Sequence, residues 1–197
     1  MPDDRAGHIL DSALTVFRQY GYAKTTMQDI ARAAGMSRAA LYLHFAGKEE
    51  LFRAGSRRAH SRALGLVDAS LAEKGDVLSR IDTATAAYFT ELTAQISSSA
   101  HGGELFDATH TITEDVVGEA RTALVARLTS ALEEAAEAGE VRFAAVDTTA
   151  EELALLLLAV MDGLKNASAN PAVRHERRTL FLRLMRAAIT SPAETGG

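Results

Sequence analysis

An all-α fold is predicted by three observations. Apolar residues recur at helical spacing along almost the whole chain, the only prolines are Pro2, Pro171 and Pro192, and glycines or capping residues stand where one helical stretch gives way to the next. About nine helices result, in a small N-terminal part and a larger remainder. Ile9, Leu10, Ala13, Val16, Phe17 and Tyr20 fall at i, i+3/i+4, i+7 spacing, an amphipathic first helix that Gly21 stops. Two short helices follow within the stretch that begins at Thr25. From Lys48 a longer helix runs through Leu51, Phe52, Leu64, Val67 and Leu71 to a break at Lys74-Gly75. Residues 76–97 form the next, with Leu78, Ile81, Tyr88, Phe89, Leu92 and Ile96 apolar, and SSSAHGG at 97–103 reads as a loop. A short helix is expected at about 104–112, then a long one from Glu114 to Ala138 closed by Gly139. Thr148 and Thr149 with Glu151 and Glu152 mark the start of a helix to about Ala169. Asn170-Pro171 ends it, a last helix runs from about Ala172 to Ile189, and SPAETGG reads as a frayed tail.

With 197 residues, 47% hydrophobic and 24% charged, the chain has the composition of a packed globule rather than a disordered or fibrous one. It has no cysteine, which excludes a disulfide framework, a thiolate zinc site and a cysteine nucleophile, and fits a cytoplasmic setting. The start MPDDRAGHIL lacks the basic region and apolar core of a signal peptide. The longest apolar run, Leu153 to Met161, is nine residues against the roughly 20 that span a bilayer, so no membrane partner is expected. Residues 1–60 hold nine Lys and Arg against six Asp and Glu, while the rest holds twelve against twenty, for a net charge of −5. A mildly basic head on an acidic body suggests a polyanion partner for the head alone.

The stretch TTMQDIARAAGMSRAALYLHFAGKEEL, Thr25 to Leu51, carries the chemistry. Thr26 is a good N-cap, and Asp29 three residues on completes a capping box, so a helix begins at Met27. Ile30, Ala31 and Ala34 give it one apolar face. Gly35 ends it in a left-handed turn, and Ser37 caps a second helix. The expectation is an eight-residue helix, a turn of Gly35-Met36-Ser37, and a second helix of about seven: a helix-turn-helix. The second helix of such a unit enters the major groove with its first residues against base edges. Here those are Arg38, able to donate a bidentate pair to guanine, and Ala39 and Ala40, small enough to meet thymine methyls. Tyr42, His44 and Lys48 are donors for phosphate oxygens. Leu41 and Phe45, four apart, seat the helix on its neighbours. Thr25 and Thr26, at the mouth of the first short helix, complete the expected DNA-binding set.

Ile30-Ala31, Ala34-Gly35-Met36-Ser37, Leu41-Tyr42, His44-Phe45, Lys48-Glu49 and Leu51, with ILDSALTVFRQYGYAKTTM before them, resemble the signature of the TetR family (TetR/AcrR type) of bacterial transcriptional regulators over about residues 5–52. Where that family usually has glycine or another small residue the chain has Ala39, which bears on the operator sequence. The resemblance implies a helix-turn-helix DNA-binding domain at 1–47 and a helical ligand-binding and dimerisation domain at 48–197. It implies a cytoplasmic homodimer, most simply a repressor, that binds a double-stranded palindromic operator and releases it when a small-molecule effector binds, with no catalytic residue, metal or cofactor. The family's usual seam is a four-helix bundle of the last two helices of each subunit, for which Leu153, Leu156, Val160 and Leu164, with Leu180, Phe181, Leu184 and Ala188, are the candidates.

Tyr88, Phe89, Leu92, Phe106, His110, Leu124, Leu128, Leu157 and Met161 are candidates to line a ligand cavity, although an apolar stripe is more often ordinary core. His101, Asp107 and His110 have no ligand spacing such as an i, i+4 histidine pair, and read as solvated or pocket-lining. The alternative reading is a small helical enzyme or lipid-binding protein with a regulator-like head. Against it, no enzyme chemistry needs Arg38, Tyr42 and Lys48 at this spacing.

Overall fold

The computed structural model describes residues 2–97, 99–167 and 170–190. Nine α-helices and one short 3-10 turn lie among them: α1 Pro2–Tyr20, α2 Met27–Ala33, α3 Arg38–Tyr42, α4 Lys48–Leu71, α5 Val77–Ser97, α6 Gly102–Ile112, α7 Glu114–Glu137, the 3-10 turn Phe143–Val146, α8 Ala150–Ala167 and α9 Pro171–Ile189. The breaks are local in origin. Gly21, Gly35 and Gly139, each just past a helix end, have φ between +65° and +79°, the left-handed conformation that a Cβ disfavours and that ends a helix cleanly. Thr149 and Glu152 form a reciprocal cap at the start of α8, and the Asn170 side chain accepts from the Ala172 amide ahead of α9.

One boundary differs from expectation. Helix α6 begins at Gly102, so its two glycines are the helix's first residues and the loop before it is shorter. The 3-10 turn and an isolated antiparallel bridge between Val141 and Thr190 were not foreseen. The expected end of α8 at Ala169 and the tail SPAETGG lie outside the described residues. None of the described helices is long and apolar enough to cross a membrane.

Two compact units are present: one holds the residues up to Gly65 with Ala87–Arg121, the other Leu66–Ala86 with the residues from Thr122 on. In the first, Ile9, Ala13, Val16 and Phe17 of α1 pack with Met27, Ile30 and Ala31 of α2, and with Leu41, Phe45 and Leu51. Leu105 of α6 belongs to this same cluster. Tyr22 and Phe52 close it over Phe17, with ring centroids 5.0–5.6 Å apart. Arg58 bridges α4 to Asp11 of α1 at 2.9 Å, and Arg53 pairs with Asp115.

The second unit buries Val77, Leu78 and Ile81 of α5, Leu124, Leu128 and Leu132 of α7, and Leu153, Leu157, Leu158 and Met161 of α8. From α9 come Met185 and Ile189. Arg127 pairs with Asp68 at 2.6 Å, and Arg186 with Asp76 at 2.7 Å. Burial alone would raise the Asp76 carboxyl, but hydrogen bonds from Ser79 and Arg186 outweigh it and hold it at about 2.

Candidate nucleic-acid interface

Helix α2 starts as its residues dictate. The Thr26 side chain accepts from the Asp29 amide at 3.3 Å while Asp29 Oδ2 accepts from the Thr26 amide at 3.1 Å and its hydroxyl at 2.5 Å. These bonds from Thr26 hold the half-buried Asp29 carboxyl below its usual range. At the other end, the Gly35 amide donates to Arg32 and the Met36 amide to Ala31, with Gly35 at φ +65°: a Schellman stop. Ser37 Oγ then accepts from the Ala40 amide at 3.0 Å and starts α3. The result is a helix of seven residues, a tight turn and a helix of five, each shorter than expected.

Helix α3 divides its residues sharply. Leu41 is 0% exposed and Phe45 buried, which seats the helix on α1 and α2. Arg38, Ala39, Tyr42 and His44 face solvent and Ala40 is half-buried. Arg38 Nη2 donates to the Tyr42 hydroxyl at 3.3 Å, and its guanidinium carbon lies 5.4 Å from the ring centroid. Leu43, two residues from both Leu41 and Phe45 and so on the opposite face, is 87% exposed. It is a surface residue that sequence reasoning passed over, although that spacing was there to be read. Thr26 is exposed at the head of α2.

Two members of the expected set are placed otherwise. Thr25 is 2% exposed and its hydroxyl donates to the Gly21 carbonyl at 2.6 Å, so its side chain shapes the turn between α1 and α2 rather than facing DNA. Lys48 Nζ donates to the Tyr22 and Ala23 carbonyls at 2.8 and 3.2 Å and lies 4.4 Å from the Tyr22 ring centroid. Its ammonium is engaged by the same turn, not presented to a phosphate. From the other side Glu104 of α6 accepts from the Ala23 amide at 2.7 Å, and it packs so closely on Gly21 that a Cβ there would collide with it. Burial, with Glu49 nearby, pushes the Tyr22 phenol up.

The cavity candidates fall in both units. Phe89 and Leu92 are half-buried, while Phe106 and His110 form an exposed edge-on ring pair at 4.5 Å. Leu124, Leu128 and Leu157 are buried in the second unit's core, with Met161 beside them. Tyr88 is buried, and its hydroxyl lies 2.9 Å from His60 Nδ1. An open surface depression of about 380 Å³ is lined by Thr15, Arg18, Gln19, Ser99 and Ala100, none of them expected. Among the described residues no three His, Asp or Glu side chains are grouped to hold a metal ion.

The seam candidates separate as well. Leu156, Leu180 and Leu184 are 52%, 49% and 61% exposed, and Leu155, not anticipated, is 45% exposed. Ala188 is exposed, and Val160, Leu164 and Phe181 are half-buried. Leu153 is the correction: it is 6% exposed, on the inward side of α8 with Leu157 and Met161.

A short helix seated through Leu41 and Phe45, with its arginine, tyrosine and histidine facing outward, defines a helix-turn-helix DNA-binding domain. Residues 9–54, the head of the chain, match the model of the bacterial regulatory proteins of the tetR family. It is 51% identical over 45 residues to the HTH-type transcriptional regulator AcrR of Shigella flexneri, which is 23% of this chain and 21% of that protein. It is 36% identical over 87 residues to the HTH-type transcriptional activator FasR of Mycolicibacterium smegmatis, 44% of this chain and 40% of that one. The chain thus spans less than half the length of these curated relatives. The whole fold is similar to that of SmeT, the repressor of the Stenotrophomonas maltophilia multidrug efflux pump SmeDEF, with a TM-score of 0.66 and 22% identity over 95% of this chain and 91% of SmeT. SmeT has also been solved in complex with triclosan.

Proposed function

We propose that the chain is a homodimeric, cytoplasmic transcriptional repressor that binds a palindromic operator through α3 and releases it when a small molecule binds residues of the 48–197 domain. The observation that carries the reading is the division of α3: an apolar edge locked into the head, and Arg38, Ala39, Tyr42, Leu43 and His44 left for DNA. In this reading Arg38 reads a guanine, Ala39, Ala40 and Leu43 meet methyl or sugar surface, and Tyr42, His44 and Thr26 donate to phosphate oxygens. The exposed leucines of α8 and α9 support a twofold seam, which would set two copies of α3 about 34–36 Å apart, or a multiple, for successive major grooves. An effector acts through its unequal affinity for the DNA-competent and incompetent states. SmeT, a repressor that binds triclosan, favours repression and an apolar aromatic effector; FasR, an activator, is the contrary precedent.

A gel shift against DNA flanking the chain's own coding region tests the reading. Sequence-preferring binding is expected, and Arg38→Ala is expected to lose about 1–3 kcal/mol of discrimination at one symmetric pair of positions. Unmodified protein that binds no DNA with sequence preference would refute the proposal.

A further inference from the structure

We infer that Tyr42 is a specificity-determining residue as well as a backbone contact: it holds the Arg38 guanidinium in place for base reading, an inference that rests on the DNA-binding role proposed above. Arg38 is the first residue of α3, and Tyr42 stands one turn on, at the i, i+4 spacing that places two side chains on one helix face. The guanidinium carbon lies 5.4 Å from the Tyr42 ring centroid, and Nη2 donates to the phenol oxygen at 3.3 Å. Between them on the chain stand Ala39, Ala40 and Leu41, two side chains too short to compete for the guanidinium and one buried in the core. Among the described residues no carboxylate lies within ion-pair distance of Arg38. Tyr42 is therefore what gives this long side chain a preferred position on the exposed face.

The chemistry allows both of Tyr42's roles at once. A phenol has one proton to donate and two lone pairs to accept with. It can accept from Arg38 while donating its own proton to a phosphate oxygen. Arg38 has five N–H donors in a rigid fork, so one hydrogen given to Tyr42 leaves a pair for O6 and N7 of a guanine. An arginine otherwise loses much rotamer freedom when it docks, and a side chain already oriented in the free protein loses less. The backbone contact thereby sets the register of the base contact. Phenylalanine at position 42 would keep the aromatic face and lose both hydrogen bonds.

The test measures binding of the full-length chain to an operator library by fluorescence anisotropy, for the unmodified protein, Tyr42→Phe, Arg38→Ala and the double variant, with thermal melts to confirm that each is folded. Tyr42→Phe is expected to weaken binding generally and to flatten preference by about two- to tenfold, the range of one net hydrogen bond, at the same base pair that Arg38→Ala flattens. In the Arg38→Ala background it should change no base preference further. A uniform loss across all sequences, with that preference intact and the two losses simply multiplying, would overturn the inference while leaving DNA binding standing. If the unmodified chain shows no sequence preference, both fall together.

Discussion

A lysine ammonium with two carbonyl oxygens and an aromatic face around it has little left to offer a phosphate. Lys48 is in that position, bound to Tyr22 and Ala23, and its role is to hold the turn that leads into α2. Lys48→Ala should therefore cost about 1–2 kcal/mol of stability, a melting shift of about 2–8 °C, and leave the salt dependence of DNA binding unchanged. A salt slope lower by about one would show instead that the lysine swings out to a phosphate when DNA is present. His60 makes a different kind of residue-scale prediction. It is buried against the Tyr88 hydroxyl, and burial holds its pKa below the ordinary 6.5. The unfolded chain takes up that proton first, so stability is full above about pH 6.5 and declines as the pH falls below it. Melting curves between pH 7.5 and 5 should show this decline, and His60→Gln should reduce it; an undiminished decline in the variant would assign the effect to other groups. Neither placement was readable in the sequence. A long side chain's direction depends on which carbonyls the fold brings near it, and a lone histidine in SRRAHSRA carries no sign of a tyrosine on another helix.

At the scale of elements, α6 departs most from what the sequence suggests. Its residues HGGELFDATH invite attention to two histidines and an aspartate, yet the contacts with the head's core and its turn are made by Leu105 and Glu104. Leu105 is part of the head's core, and Glu104 caps the Ala23 amide, while Ser99 just before the helix donates to the Arg18 carbonyl at 2.7 Å. A carboxylate on a backbone amide is one of the stronger hydrogen bonds a protein makes, although this one is partly open to water. Glu104→Ala should speed hydrogen exchange at the Ala23 amide, and Glu104→Gln should do so less because an acceptor remains; equal exchange in all three proteins would deny α6 this hold on the turn. Elements with strong local signals were readable. Thr26 with Asp29, Ser37, Gly35 and Thr149 with Glu152 all mark the helix ends expected of them, because caps satisfy backbone groups that no other residue type serves as well. The four-residue 3-10 turn and the Val141–Thr190 bridge were not, since one has no period and the other joins residues far apart in the chain.

For the whole molecule the decisive quantity is how many chains meet one operator. The all-α architecture followed from periodicity and sparse prolines, but the face of α8 that packs inward did not. Leu153 and Leu156 both belong to the same apolar stripe, and only tertiary packing puts one in the core and leaves the other in solvent. That exposed leucine, with Leu155, Leu180 and Leu184, is what the proposed seam would cover. Light scattering on the chain alone and on its complex with a palindromic duplex tests this most directly. The expected result is a dimer at micromolar concentration and two chains per duplex, with Leu184→Asp giving a folded monomer whose single head binds a half-site too weakly to detect. An unmodified chain that is monomeric under these conditions and still binds one operator tightly would contradict both the seam and the mode of DNA recognition built on it.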